Sequence, residues 1–447
     1  MLTRRQFLGS TCAAAAAAGT ASPFGEAQPQ DFGGKPAYRA LVCIALGGGA
    51  DSYNMLVPTD GSAYRNYVRR RGDLSLNRDE LLQLPRGDQR GQAYALHHGM
   101  REVHQLFADG EIALVANVGP LPGPGAQTDR FRQPDLSHSD QIAHWHHGSA
   151  NRNSCSGWAG RVADLVADSG WQARVQTNIS MSGRHVIQLG SCSAATNVQV
   201  SSYQQRLGSP IGVDFSYVNE QLAERAINGG PPWALQRRRK LLDKAENESR
   251  RMIEEAVTDS PEFATPFDAD SFSADLERVA WVIAARGKLG VRRQIFYVHF
   301  DGWDHHHRLL ENQARMLPIL SRGLAAFREA LVELDAFDDV STFTISEFGR
   351  SLESNGGGSD HGWGGHQIVM GGGVHGGSIY GQYPDLASGN PLDIGSGCFV
   401  PTTSMDEYLA ELVLWHGTPA ADLSYVLPDI SRFWSTKSHT PPVGMLT

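Results

Sequence analysis

The sequence predicts an α/β fold built on a mainly parallel sheet with helices on both faces. Strand-like and helix-like patterns alternate along the chain, which is typical of that class. Residues 40–46 form a continuous apolar run, and such strands suit a sheet that is covered on both faces. The predicted strands are residues 40–46, 112–118, 185–189, 294–300, 341–345 and 367–370.

Helices are predicted between these strands. Residues 241–256 are charged with a heptad-like pattern, and residues 309–334 form a long amphipathic stretch. Residues 274–289 place four apolar side chains on one helix face. Residues 208–233, which are rich in proline and glycine, predict an insertion or a surface excursion.

The amino terminus predicts export. A pair of arginines at residues 4–5 precedes Phe-Leu and an alanine-rich apolar stretch at residues 9–19, and this pattern resembles a twin-arginine signal. The alternative is a membrane anchor, but the stretch is shorter than the roughly 20 apolar residues that span a bilayer. We therefore predict a signal peptide over residues 1–27 and a mature protein in the periplasm or outside the cell.

Composition narrows the classes of function. The net charge of −9 and the pI near 6.0 offer no electrostatic footprint for nucleic acid or an anionic membrane, so an anionic substrate would need a local positive site such as a metal ion. The cysteines beyond the signal are dispersed without the Cys-x-x-Cys spacing of a thiolate zinc site. An oxidising compartment would allow one or two disulfides among Cys43, Cys155, Cys192 and Cys398.

The first predicted strand ends in a candidate metal ligand. Ligands in open α/β sheets gather at the carboxyl edge of the strands, because loops and helix starts converge there. Glycines at residues 47–49 turn the chain into Asp51, whose carboxylate could hold a metal. The alternative is that Asp51 only forms a turn or caps a helix.

The second strand leads to serines at the predicted start of a helix. Ser137 or Ser139 would place a hydroxyl near the positive end of the helix dipole, which suits a nucleophile that attacks an anionic ester. The alternative is that the serine only caps the helix. His144, His146 and His147 do not share one helix face, so we interpret them as surface or supporting residues rather than ligands.

Two later strand ends carry clusters of carboxylates and imidazoles. Residues 301–307 contain two aspartates and three histidines, which are costly at a strand end unless they are paired or metal-bound, although a solvated loop is the alternative. Glu347 enters a glycine-rich loop with Asp360, His361 and His366. Such mixed ligands suit zinc, manganese or iron better than magnesium or calcium.

The order of these segments resembles the alkaline phosphatase superfamily, which includes alkaline phosphatases, sulfatases and cofactor-independent phosphoglycerate mutases. The closer resemblance is to the domain of unknown function 1501 family, a branch of that superfamily. It covers roughly residues 38–434, which are therefore predicted to form one alkaline-phosphatase-like domain. The motifs that carry it are Gly48-Gly49-Ala50-Asp51, Ser137-His138-Ser139-Asp140-Gln141, Gly302-Trp303-Asp304-His305-His306, Ser346-Glu347-Phe348-Gly349-Arg350 and Asp360-His361-Gly362-Trp363-Gly364.

The resemblance implies a serine nucleophile that shares one metal with Asp51. In relatives, a small-residue turn closes the helix of the nucleophile nine or ten residues later. Gly148 lies nine residues after Ser139 and eleven after Ser137, which favours Ser139.

The resemblance also implies further ligands. Glu347 occupies the strand-end position where relatives keep Asp-His, and His361 matches their late histidine. Phe348 therefore replaces one imidazole, so the site holds one metal or is completed by Asp360 or His366.

For the cluster at residues 301–307 two ligand pairs stay open. Asp304 and His306 fit the narrower family and are favoured, whereas Asp301 and His305 fit the spacing of alkaline phosphatases. The chain has no Cys-x-Pro-x-Arg motif, which excludes a formylglycine nucleophile.

The implied function is that of an exported, metal-dependent hydrolase of phosphate or sulfate esters. One or two divalent ions would lower the pKa of Ser139 or of a bound water and stabilise the leaving oxygen. Arg350 would clamp substrate oxygens, unless it pairs with a carboxylate inside the fold. The expected substrates are small anionic esters or sulfated or phosphorylated glycans, with no nucleic acid and no stable membrane anchor. The alternative is a non-catalytic, metal-binding secreted protein that acts in surface binding or assembly and has a second secreted protein as its partner.

Overall fold

The computed structural model describes residues 37–124, 135–149, 155–169, 175–190, 193, 195–198, 232–258, 260, 262–435, 437–438 and 440–447. The predicted signal at residues 1–27, residues 208–231 of the predicted insertion, and Cys192 lie outside the described residues.

Nine strands of the described chain form one central sheet, and all but one of them run parallel. The strands are β1 (Arg39–Gly47), β2 (Leu56–Pro58), β3 (Leu82–Gln83), β4 (Tyr94–Leu96), β5 (Ile112–Gly119), β6 (Asn178–Ser180), β7 (Ala195–Asn197), β8 (Arg293–Asp301), β9 (Val340–Ile345), β10 (Arg350–Ser354), β11 (Ser359–His361), β12 (Gly365–Met370), β13 (Ile379–Gly381) and β14 (Thr403–Ser404). The spatial order of the sheet is β13-β5-β12-β9-β1-β8-β6-β7, with β14 also paired to β5. Only β12 runs antiparallel to its neighbours within this sheet, while β10-β11 and β2-β4-β3 form two small sheets.

Five of the six predicted strands are confirmed, and the strand predicted at residues 185–189 is wrong. That segment contains a 3₁₀ turn, Val186–Gln188, packed beside β6, the strand next to the edge strand β7. Its backbone groups are satisfied without a strand ladder, since the Asn178 side chain donates to the Gln188 carbonyl. The Gln188 amide in turn donates to the carbonyls of Ile179 and Ile295. The apolar residues of this segment correctly indicated burial, but a turn can bury them as well as a strand can.

Ten α-helices accompany the strands in the described part of the chain. They are α1 (Gly61–Arg71), α2 (Arg101–Ala108), α3 (His138–His147), α4 (Trp158–Asp168), α5 (Pro232–Val257), α6 (Ser271–Ala284), α7 (Arg286–Leu289), α8 (Leu309–Glu333), α9 (Met405–His416) and α10 (Leu423–Val426). The predicted helices at residues 241–256 and 309–334 are confirmed, whereas the helix predicted at residues 274–289 divides at Ala285 into α6 and α7. No helix among these described residues is long and apolar enough to cross a membrane.

The helices cover both faces of the sheet, which confirms the predicted fold class. Side chains of β1 alternate between two apolar cores, as expected for a strand buried on both sides. Val42 and Ile44 pack in one core with residues of α2, α6 and α8. Leu41 and Cys43 pack in the other with residues of α4, α9 and α10. Cys43, Cys155 and Cys398 form no disulfide with one another.

The carboxyl ends of β9, β1 and β8 lie side by side. Gly47 at the end of β1 is paired with Asp301 of β8, and Ala45 is paired with Ile345 of β9. Helix α3 packs above this edge, where the Trp145 indole N–H donates to the Glu347 carbonyl at 3.2 Å. The sheet therefore brings the loops that follow all three strands to one place, beside α3.

Asp406, near the start of α9, is a buried carboxyl that should make stability depend on pH. Burial, together with the nearby charge of Asp429, raises the pKa of Asp406 to about 8. In the unfolded chain the same group titrates near pH ~4. The folded state therefore holds an extra proton, and its stability falls as the pH rises from about 4 to about 8.

We expect Asp406→Asn, which cannot ionise, to stabilise the protein by a few kcal/mol more at pH 8 than at pH 4, since each pKa unit corresponds to about 1.4 kcal/mol. Thermal denaturation at the two pH values measures the difference, with the exposed Asp73→Asn as a control for a neutral surface substitution. An equal effect of Asp406→Asn at both pH values would contradict this account.

Candidate metal centre

Three side chains converge at the edge formed by β9, β1 and β8, and we call them the metal group: His138, Asp304 and His361. His138 begins α3, Asp304 lies in the loop after β8, and His361 ends β11. One ligand atom from each lies within 4.8 Å of the others. Their side chains are 15%, 15% and 25% exposed, so solvent reaches the group.

The His361 ring is oriented with one nitrogen towards the group. Its Nδ1 lies 2.7 Å from the Leu136 carbonyl oxygen, which can only accept, so Nδ1 carries the proton. The lone pair is then on Nε2, which lies 3.7 Å from an Asp304 oxygen. Histidines that bind metals typically donate their second ring nitrogen to a backbone carbonyl in this way.

The Asp304 carboxylate is the anionic member of the group. Its Oδ1 accepts a hydrogen bond from the Arg350 guanidinium at 2.7 Å and lies 3.1 Å from His306 Nε2. Burial acts to raise the pKa of Asp304, but the neighbouring His361 ring and the hydrogen-bonded Arg350 guanidinium outweigh it and hold the pKa well below its usual range. The carboxylate therefore stays charged at any physiological pH.

His306 joins the group to Asp360 at its rim. Its Nδ1 lies 3.2 Å from an Asp360 oxygen, and its Nε2 lies 3.1 Å from His361 Nε2. Burial and the nearby Arg350 charge lower the pKa of His306, so its imidazole is neutral at neutral pH. A hydrogen bond from the Asn355 amide lowers the pKa of the largely exposed Asp360. The structure thus brings the favoured pair, Asp304 and His306, together with His361 and Asp360.

Glu347 borders the metal group and is held by the backbone after β1. Its two carboxylate oxygens accept the N–H groups of Gly48 and Gly49, each at 2.8 Å. These residues have φ values of 113° and 80°, which favour glycine. Burial opposes ionisation of Glu347, but the nearby His138 imidazole and the hydrogen bond from the Gly48 amide lower its pKa. Glu347 Oε1 lies 3.9 Å from His138 Nδ1, so it adjoins the group without entering it.

Phe348 occupies the position at which the family resemblance implies an imidazole, and it packs against two of the histidines. Its ring centroid lies 4.3 Å from that of His361 and 5.0 Å from that of His138. The ring is 2% exposed. Phe348 therefore holds the two imidazoles in position, and other residues supply the metal ligands.

Asp51 is paired with an arginine. Its Oδ2 accepts hydrogen bonds from the Arg71 guanidinium and from the Ser359 hydroxyl, and its Oδ1 accepts the Tyr53 N–H. The side chains of Asp51 and Arg71 are both fully buried. Asp51 thus lies beside the strand end, as predicted, but its carboxylate is not part of the metal group.

His366 lies in a separate buried environment. Its Nδ1 accepts the Asn117 N–H at 3.0 Å, and its ring stacks on Tyr383 at 4.6 Å. Burial lowers the pKa of His366 to about 3, so the ring is neutral. The structure does not bring His366 into the metal group.

Arg350, predicted to clamp substrate, donates to three groups of the protein. Its side chain is fully buried and bonds to Asp304 and to the carbonyls of Gly48 and Ser359. In this arrangement Arg350 positions the Asp304 carboxylate.

The alternative ligand pair of the same loop is not brought into the group. Asp301 Oδ2 lies 3.1 Å from His299 Nδ1, on β8. His305 is 1% exposed, and burial lowers its pKa to about 4.

Ser139 follows His138 in the first turn of α3 and faces solvent. Within the described part of the chain its hydroxyl has no hydrogen-bond partner. Gly148 closes the helix in the left-handed conformation, with φ 56° and ψ 40°, at the place the sequence indicates. The helix is therefore the predicted one, but the side chain turned towards the strand ends is that of His138.

His138 is the site residue that sequence reasoning missed. It lies between two serines that drew attention as nucleophiles, although its own residue type is that of a metal ligand. Successive residues of a helix point about 100° apart, so only one of the three can face the sheet edge. A search for histidine at helix starts near strand ends would have found it.

The donor set of the metal group fits a divalent transition ion. Two imidazoles and one ionised carboxylate are the ligands that zinc prefers, and three protein ligands leave a position for water or substrate. The oriented His361 Nε2 and the permanently charged Asp304 are features of this structure that favour such an ion. This group can hold one ion.

Comparison with known proteins gives one family and several structural likenesses. A family model described as "Protein of unknown function (DUF1501)" matches residues 38–395. No curated protein matches the chain.

Solved structures with a detectable likeness include the PsFucS1 sulfatase from Pseudoalteromonas sp., at 10% identity over 85% of this chain and 68% of that chain with a TM-score of 0.35. The C-terminal periplasmic domain of EcEptC from Escherichia coli, in complex with Zn, has 8% identity over 92% and 93% of the two chains and a TM-score of 0.35. The alkaline phosphatase of the Antarctic bacterium TAB5 has 9% identity over 76% and 93% and a TM-score of 0.30.

Proposed function

This chain belongs to the family described as Protein of unknown function (DUF1501), and we propose that it is a metal-dependent hydrolase of phosphate or sulfate esters. The observation that carries the proposal is the metal group, in which His138, Asp304 and His361 present ligand atoms within 4.8 Å of one another. The group lies where three strands of a mainly parallel sheet end, the usual position of a ligand site in such folds.

The surroundings of the group suit an anionic ester. When bound there, a divalent ion would acidify water and stabilise negative charge on ester oxygens. His138 is the first residue of the ten-residue helix α3, so the positive end of the helix dipole faces the same place. Arg350 keeps the Asp304 carboxylate in position from within the protein. The partly exposed side chains leave the group accessible to a large substrate such as a sulfated or phosphorylated glycan.

His306 is the residue placed to accept a proton. Its two ring nitrogens lie 3.1 Å from Asp304 and 3.2 Å from Asp360, and the side chain is 36% exposed. A neutral imidazole between two carboxylates can take up a proton and then donate a hydrogen bond to each of them. We therefore propose His306 as general base rather than as a fourth ligand.

The nucleophile is the point at which the proposal is most directly tested. Since the Ser139 hydroxyl faces solvent, we propose water as the attacking group, and we expect Ser139→Ala to keep most of the hydrolytic activity. Loss of a true serine nucleophile would cost on the order of 10⁶ in kcat. Steady-state hydrolysis of aryl phosphates and aryl sulfates measures the effect, with Ser137→Ala as the matched control. A collapse of activity in Ser139→Ala alone would identify Ser139 as the nucleophile that the sequence predicts.

The proposal as a whole is tested by the metal content of the purified mature protein, followed by assay against phosphate and sulfate esters. We propose zinc, manganese or iron as the ion and the periplasm or cell exterior as the compartment, after twin-arginine export. Metal-free protein that hydrolyses neither class of ester would overturn the hydrolase assignment.

A second candidate function is a metal-binding secreted protein without turnover. The observation that favours it is the commitment of Asp51, Glu347 and Arg350 to partners inside the protein. Only three ligands then remain for metal. Stoichiometric metal without hydrolysis of any ester in the panel would support this candidate.

A further inference from the structure

A second group of imidazoles lies near Glu347, apart from the metal group. We call it the histidine cavity and define it by His146 of α3, His185 after β6, and Tyr297, His299 and Asp301 of β8. The ring centroids of His146 and His185 are 6.1 Å apart, and those of His185 and His299 are 5.9 Å apart. None of these histidines belongs to the site already described.

The protein holds one nitrogen of each ring. His185 Nε2 lies 2.9 Å from the Ser182 carbonyl, and His299 Nδ1 lies 3.1 Å from an Asp301 carboxylate oxygen. Both acceptors require the proton on that nitrogen, which leaves the lone pair on the other one. His146 Nε2 lies 3.4 Å from the Tyr297 hydroxyl. A histidine held by a carbonyl or a carboxylate in this manner is the usual preparation for metal binding.

Several polar atoms of the cavity have no partner in the described part of the chain. They are Nδ1 of His146, Nδ1 of His185 and Oδ1 of Asp301. His146 is 3% exposed and His185 is 1% exposed. A buried polar atom without a partner typically costs about 1–3 kcal/mol, so three in one place indicate a ligand.

The imidazoles of His146 and His185 are neutral and therefore able to bind a cation. Burial lowers the pKa of His146 well below its usual range and lowers that of His185 to about 3. The carboxylates of Asp301 and Glu347 are the anionic groups nearby, and Glu347 lines the cavity. Neutral nitrogen donors beside carboxylates attract a metal cation and not an anion.

The backbone of β1 leaves room for an ion. A Cβ on Gly47 would lie 2.4 Å from Asp301 Oδ1 and 2.5 Å from His299 Nε2, so glycine keeps this side open. Gly47, His146, Tyr297, His299 and Glu347 line a small, partly open space on this side of β1. Its ligand nitrogens are spread more widely than those of the metal group, so binding of one ion would require the rings to turn inwards.

We propose that the histidine cavity is a second metal site, which binds a late first-row divalent ion such as zinc through His146, His185 and His299. Imidazole-rich donor sets prefer zinc and its neighbours to magnesium or calcium. An ion there would tie α3 to β8 and to the loop after β6, and so steady the helix that presents His138. The proposal does not depend on hydrolytic activity at the metal group.

Zinc stoichiometry of the full mature chain tests the proposal. Chelator-treated protein would be dialysed against zinc, and bound metal measured by mass spectrometry, for wild type and for a background variant that carries Asp304→Asn and His361→Ala. We expect two equivalents in wild type and one in the background variant. Adding His185→Gln or His146→Gln to the background should reduce zinc affinity more than tenfold. Loss of a residue that only supports a metal ligand already costs at least about tenfold in affinity.

The control is His416→Gln in the same background. His416 is also buried and neutral, with Nε2 3.2 Å from a backbone carbonyl, but it lies outside the cavity, so zinc binding should be retained. Zinc should also raise the melting temperature of the background variant and leave that of its His146→Gln derivative unchanged.

A background variant that binds no zinc while wild type binds one equivalent would overturn the second site and leave the hydrolase proposal standing. Wild type that binds one equivalent, retained in the background and lost with His185→Gln, would support the cavity and overturn the metal group.

Discussion

The variant His361→Ala is expected to lose zinc affinity at the metal group by more than about 100-fold. Removal of a residue that only supports a metal ligand costs at most about that much, and His361 is a ligand itself. Hydrolysis of phosphate and sulfate esters should fall to the background rate. The reason is geometric: His361 Nε2 is the nitrogen whose lone pair faces Asp304, because Nδ1 is occupied by the Leu136 carbonyl. Zinc titration by competition with a chromophoric chelator, followed by ester assay of the same samples, measures both effects.

The matched control for this loss is His307→Ala. His307 lies in the loop next to His306 but is exposed, so its removal should change neither zinc affinity nor turnover. Unaltered zinc binding in His361→Ala would show that the metal group is not a metal site. Loss of activity in both variants would instead point to a general effect on the loop.

The fold was predictable because strands buried on both faces read as continuous apolar runs, as residues 40–46 do. The direction of each strand was not predictable, because an apolar run looks the same whether the strand runs parallel or antiparallel to its neighbours. β12 therefore occupies its expected place at residues 367–370 but runs antiparallel to β5 and β9. The same ambiguity explains the error at residues 185–189, where the apolar residues are buried in a turn.

The position of the site was predictable because polar residues that follow neighbouring parallel strands meet at one edge. The contents of the site depended on contacts between distant segments. Which residue of α3 faces the sheet depends on the rotation of the helix, so spacing to Gly148 favoured Ser139 while the structure turns His138 inwards. The hydrogen bonds from Gly48 and Gly49 to Glu347 join residues about 300 apart in sequence, which no local pattern reveals.

Asp51 shows how a correctly placed carboxylate can have a different partner. The strand end delivers it to the expected edge, but Arg71, at the end of α1, reaches the same place from another direction. Arg71 also donates to the carbonyls of Ser351 and Leu352, so it fastens the β10 strand to the loop after β1. The buried ion pair thus supports the hairpin that carries His361.

Asp51→Ala is accordingly expected to destabilise the protein by about 3–5 kcal/mol, because it leaves the fully buried Arg71 guanidinium without a counter-charge. Chemical denaturation at fixed zinc concentration measures the change. The double variant Asp51→Leu/Arg71→Leu removes both charges and should recover much of the loss, since a buried pair can often be replaced by apolar side chains at little cost. The exposed pair of Arg308 and Glu311 is the control, and Glu311→Ala should cost less than about 1 kcal/mol. If Asp51→Ala instead lost bound metal while its stability was unchanged, Asp51 would be the metal ligand that the sequence predicts, and Arg71 its partner only in the absence of the ion.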